Sequence, residues 1–121
     1  MSFAINAFID QLWKLGAAHA VTDCLLQDPK LFSIGYFKNR HRRDATKAFG
    51  EDGHHIYWLI AHGFLNGLGV WWATGSIGFG IAETLCHIAI DYGKIEKYYG
   101  VHRDQAFHGL CKIVWAILTT V

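Results

Sequence analysis

Three pairs of residues carry types and spacing that could do chemistry: His19 with Asp23, His87 with Asp91, and Asp104 with His108. Each pair is one imidazole and one carboxylate at i, i+4. On a helix those positions share a face one turn apart, so each pair can aim two ligand atoms at one point. A fourth imidazole, His62, interrupts an uncharged run. Together His19, Asp23, His62, His87, Asp91, Asp104 and His108 make a ligand set for a divalent transition metal. Zinc suits it best, manganese or iron also fit, and the number of donors is enough for more than one ion. Such a site would activate water for hydrolysis. Asp23 or Asp104 is the expected bridging carboxylate.

Those residues meet only if the elements around them bring them to one depth. The apolar spacing predicts long helices over 3–27, 54–74, 77–98 and 102–120, with a short amphipathic helix over 30–38. Asp28-Pro29 divides the first from the second, and Gly75-Ser76 turns the chain between the third and fourth. No strand-type alternation competes. The expected fold is therefore all-α: an antiparallel bundle of four long helices plus one short one, forming a single domain over 1–121. In that arrangement all seven polar residues fall in the half of the bundle nearest the 38–47 loop. Scattered core histidines would have no reason to share one depth. Glu83, one turn before His87, continues its stripe. Gln27, Lys94 and Gln105 are candidates to support the ligands. His41, His54, His55 and His102 sit at loops or helix ends and read as surface residues.

Composition narrows the classes. The chain has 121 residues, 52% hydrophobic and 17% charged, with a net charge of +1. So small a charge predicts no general affinity for a nucleic-acid duplex. Cys24, Cys86 and Cys111 are scattered and odd in number, which excludes a disulfide framework or zinc ribbon and offers no nucleophile with a base beside it. The first fifteen residues lack the features of a signal peptide. Residues 53–82 carry no Asp, Glu, Lys or Arg. A run of that length predicts a membrane setting, with the basic stretch KNRHRRDATK (38–47) on the cytoplasmic side of an inner membrane. The glycines at 75, 78 and 80 interrupt the run, which keeps a soluble cytoplasmic form as the alternative.

The segments HAVTDCLLQ, LIAHGFLNG, HIAIDYGK and DQAFH resemble the domain of unknown function 3307 family (DUF3307), small proteins mostly predicted to lie in bacterial and phage membranes. The resemblance covers 18–116. It carries over His19, Asp23, Gln27, His62, His87, Asp91, Lys94, Asp104, Gln105 and His108. Cys24 stands where that family commonly has a bulky aromatic, and the linker after Gln27 is more basic. The repeated H-x3-D pairs are also similar to those of predicted membrane-bound metal-dependent hydrolases and of the helical zinc phospholipase C and single-strand nuclease superfamily. That similarity implies a metal-dependent hydrolase acting on a phosphoester, with a phospholipid, a lipid-linked phosphate or a nucleotide as partner and with Lys94 as the expected cation holding its phosphate. The competing expectation is a non-catalytic bundle stabilised by metal, or a partner-binding subunit. Ion passage would need polar residues along the whole bundle, and the half away from the basic loop offers only Asn66, Thr74 and Ser76. Haem ligation fits poorly with so many aspartates.

Overall fold

The computed structural model describes residues 3–25 and 54–121. They are all-helical: α1 (Phe3–His19) running into a π-helical turn (Ala20–Leu25), then α2 (His54–Thr74), α3 (Ile77–Ile95) and α4 (Val101–Thr120). The expected short helix at 30–38, the basic loop at 38–47, Gln27 and His41 lie outside the described residues.

The four helices pack in a ring, α1 against α2 and α4, α3 against α2 and α4. Cross-contacts fix the direction of each neighbour. Gln11 donates to the Ala73 carbonyl while Asp23 reaches His62, so α1 and α2 are antiparallel. Glu83 meets Lys112 while Asp91 meets His108, so α3 and α4 are antiparallel too.

Local chemistry ends each helix. Gly75 adopts φ +71°, a left-handed conformation that glycine takes without a Cβ penalty, and its N–H bonds back to the Trp71 carbonyl at 2.7 Å. Ser76 then caps α3 by accepting from the Phe79 N–H at 3.4 Å. The far end of α3 is earlier than the periodicity predicts, at Ile95 rather than Tyr98. Lys97 takes φ 64°, and the Tyr98 N–H returns to the Gly93 carbonyl at 3.0 Å. The chain can turn back here because Tyr99 folds onto α3. Its hydroxyl donates to the Ile90 carbonyl, and its ring fills the space that a side chain on Gly93 would need.

The uncharged run has a different cause from the one expected. Among the described residues, no helix is long and apolar enough to cross a membrane. This overturns the transmembrane reading and, with it, the inner-membrane location. The run is uncharged without being strongly apolar, since His54, His55, His62, Asn66 and Thr74 lie in α2 and the glycine turn at Gly75 cuts it. At Gly67 and Gly80 close backbone packing leaves no room for a side chain. A Cβ on Gly67 would lie 2.5 Å from the Gly80 carbonyl oxygen, and one on Gly80 would lie 2.9 Å from that of Gly67. α2 and α3 therefore touch backbone to backbone.

The bundle interior is divided by polarity. Leu15, Val70, Ala73 and Ala116 form a small apolar cluster at one end, with Phe8, Leu12, Phe79 and Trp115 against it. The other end is filled by Asp23, His62, Glu83, His87, Asp91, Asp104, His108 and Lys112, all buried.

Candidate metal centre

The helices deliver the polar residues as facing stripes. Glu83, His87 and Asp91 follow one another at i, i+4 along the buried face of α3. Asp104, His108 and Lys112 do the same on α4. α2 contributes His62, one turn before the buried Asn66. Asp23 comes from the π-helical turn after α1, whose wider i→i+5 winding carries the carboxylate beyond His19 and into the cluster.

Six of the seven expected ligands fall into tight groups. Asp23, His62, His87 and Asp91 offer ligand atoms that all lie within 4.8 Å of one another, and so do Asp91, Asp104 and His108. A third group joins Glu83, His87 and His108. His19 stands beside these groups rather than within one. Its Nε2 is 3.5 Å from Asp23 Oδ2, and its ring centre is 5.5 Å from that of His108.

The first group has the dimensions of a coordination shell. His62 Nε2 is 2.9 Å from Asp23 Oδ1, 3.1 Å from His87 Nε2 and 3.4 Å from Asp91 Oδ2. His87 Nε2 is 3.2 Å from Asp23 Oδ1 and 3.7 Å from Asp91 Oδ2. Four donors set tetrahedrally at zinc's usual bond lengths are separated by about 3.3–3.5 Å. The four atoms therefore already stand close to where a divalent cation would need them. The outer group is looser. His108 Nε2 is 3.4 Å from Asp91 Oδ1 and 3.5 Å from Asp104 Oδ1. Asp104 Oδ1 and the Nδ1 atoms of His19 and His108 are buried with no hydrogen-bond partner, which leaves them open to a cation or water.

Around these donors lies a second layer of partners. Glu83 accepts from Lys112 at 2.5 Å and from the Trp115 indole at 2.6 Å, and its Oε1 is 3.3 Å from His87 Nδ1. An Nδ1–H given to that carboxylate leaves His87 Nε2 with its lone pair facing the cluster, the usual way a metal-binding imidazole is oriented. Glu83 is thus better placed to orient His87 than to bind metal, because Lys112 occupies the same oxygen. Gln105, at the rim, donates to Asp23 Oδ2 and Asp104 Oδ2, each at 3.1 Å. Lys94 donates to Asp104 Oδ2 at 2.8 Å and lies 3.3 Å from Asp91 Oδ1. Asn66, bonded to Thr22 at 2.8 Å, tethers α2 to the π-helical turn.

Charge in the cluster follows from these contacts. Burial alone would raise the Asp23 carboxyl, but hydrogen bonds to His62, His87 and Gln105 hold it well below the usual range. Burial works against the Glu83 carboxylate as well, and His87, Lys112 and Trp115 bring it down to about 2. His108 is disfavoured as a cation by burial, yet Asp104 and Asp91 raise it to about 9. Burial and the nearby charge of Lys112 lower His19, which keeps it neutral and able to ligate. Burial likewise pushes the Cys111 thiol up to about 11, helped by Glu83 and Cys86, so it is no nucleophile.

Reading the sequence by motif misses Lys112 and Trp115. The signal for Lys112 is its place at i+4 from His108, which extends the Asp104–His108 stripe by one turn. His102 and Arg103 are exposed, and His55 is half-buried outside the ligand groups. No family model, curated protein or solved structure matches the chain.

Proposed function

We propose that this protein is a metal-dependent hydrolase of phosphoesters, its metal held by His62, His87, Asp23, Asp91, Asp104 and His108. The observation that carries the reading is the shell-sized spacing of four buried donors beside a looser group at the rim. A divalent cation, zinc above all, would supply Lewis acidity and make water a nucleophile at neutral pH. The chain's own groups do the rest. Glu83 fixes the His87 tautomer. Asp104 turns its Oδ1 into the cluster beside His108, where it would help to hold the cation. Lys94, whose side chain is 21% exposed, lies against Asp104 and Asp91 and can leave these carboxylates for a substrate phosphate. The similarity of the H-x3-D pairs to those of helical zinc phosphoesterases supports the same class; the substrate is a phosphate-bearing small molecule, a nucleotide or a lipid headgroup.

One observation favours a second reading. His62, His87, Asp91, Asp104 and His108 are each 0% exposed, as in closed sites that hold a fold together. The test is a panel of aryl phosphates, nucleotides, cyclic nucleotides and phospholipids, assayed with metal-replete protein. Chelator-sensitive cleavage, with Lys94→Ala raising KM more than it lowers kcat, is the expected outcome. A metal-replete protein that cleaves none of them makes the metal-stabilised bundle the better reading.

A further inference from the structure

Of the three tight groups, the one with Glu83 has its carboxylate taken by Lys112; the other two share one residue, Asp91. Asp91 Oδ2 faces the inner imidazoles, 3.4 Å from His62 Nε2 and 3.7 Å from His87 Nε2. Asp91 Oδ1 faces the other way, 3.4 Å from His108 Nε2. The two aspartates expected from sequence to bridge are engaged differently. Asp104 turns Oδ2 toward Lys94 and Gln105 and presents only Oδ1 to the cluster. Asp23 turns Oδ1 to His62 and His87, while its Oδ2 faces Gln105 and His19, which belongs to none of the tight groups. Among the described residues, Asp91 alone of the three gives each oxygen to a different tight group.

We propose that the cluster holds two divalent cations with the Asp91 carboxylate between them. The inner position is formed by Asp23, His62, His87 and Asp91 Oδ2, and the outer by Asp91 Oδ1, Asp104 and His108. This rests on the metal-binding part of the function proposed above, but not on catalysis. The two positions differ in kind. The inner one has four protein donors, enough to close a tetrahedral shell, so it is tight and slow to exchange. The outer one has three donors, leaving room for water or a phosphate oxygen. The Lys94 ammonium, 2.8 Å from Asp104 and 3.3 Å from Asp91, sits against the same two outer carboxylates and supplies positive charge there. A cation entering the outer position would weaken that hold on Lys94, freeing it toward the rim.

The test is metal stoichiometry of the full chain, by elemental analysis and by titration calorimetry with Zn2+ and Mn2+. Wild type should bind two ions per chain in two affinity classes, and the Mn2+ form should give the electron-paramagnetic-resonance signal of a coupled pair. Asp104→Asn and His108→Gln should leave one ion per chain, with its affinity changed by less than about threefold. Asp91→Asn should lose the outer ion and weaken the inner one tenfold or more. The wild-type stoichiometry needs no variant to fold. One ion per chain in wild type, or two uncoupled Mn2+ ions, overturns the shared carboxylate while leaving metal binding intact. No bound ion at all overturns the metal reading itself, and the two failures are thereby distinguished.

Discussion

Replacing Lys112 by methionine should destabilise the metal-free bundle by about 3–5 kcal/mol, the range found when one partner of a buried ion pair is removed. The Glu83 carboxylate is 0% exposed and Lys112 only 4%, so water cannot take over the lost interaction. Trp115 and His87 would still contact Glu83, but neither supplies a formal positive charge unless His87 is protonated. Adding Glu83→Gln to Lys112→Met should recover a large part of the loss, because a neutral carboxamide can still accept from Trp115 and no longer buries a charge alone. Urea unfolding in chelator, compared across wild type, the single variant and the double variant, measures both effects. A single-variant loss below about 1 kcal/mol would show that the pair does not hold the polar interior together.

The second large effect is the loss of a pH dependence when metal binds. In the metal-free protein His108 has its pKa raised to about 9 from an ordinary 6.5. A raised histidine contributes its stability fully below the unfolded value and loses it as pH climbs through the folded one. The metal-free bundle should therefore weaken between pH 6.5 and 9, by a ceiling of roughly 3 kcal/mol for a shift of that size. On the acid side the sign is opposite. Glu83, lowered to about 2 from 4.5, contributes stability above 4.5 and loses it as pH falls toward 2. With metal bound, the cation takes the place of the His108 proton, and above 6.5 the unfolded histidine carries no proton either, so the loss between pH 6.5 and 9 should vanish and the profile should be flat there. Unfolding midpoints in chelator and in excess Zn2+ at pH 6, 7.5 and 9 give the two profiles. Parallel slopes would mean that His108 does not exchange its proton for the metal. His108→Gln should flatten the metal-free profile.

The grouping of the candidate donors was legible because helix periodicity is a reliable ruler. Three i, i+4 pairs and a count of depth along antiparallel helices are enough to place six of seven predicted donors in tight groups. His19 shows the limit of that ruler. Its partner Asp23 lies in a π-helical turn, which hydrogen-bond winding decides and residue types in the chain do not announce. Lys112 was hidden for another reason. A lone lysine in an amphipathic helix ordinarily carries its charge to water, and only the carboxylate of Glu83 across the α3–α4 contact makes burial favourable. The uncharged run at 53–82 misled because absence of charge is not apolarity. Its helix carries His54, His55, His62, Asn66 and Thr74, and at Gly67 and Gly80 backbone contact leaves no room for a side chain. Which aspartate lies between the two groups of imidazoles could not be read at all, since it depends on where each carboxylate oxygen points.

The division of the interior between a small apolar cluster and a large polar one also bears on heat. Apolar surface raises the heat capacity when unfolding exposes it, and polar surface lowers it. Here Trp13, Phe64, Trp72, Ile77, Ile81, Leu85 and Leu110 are already exposed in the folded chain, while carboxylates, imidazoles and a lysine are the groups that unfolding would hydrate. The heat-capacity increment should fall below the usual value of about 12–15 cal/mol/K per residue. Scanning calorimetry would show this as a broad, shallow stability curve. The protein would then lose little stability on cooling, and its tolerance of temperature would depend on the pairing of its buried charges more than on the oil it buries.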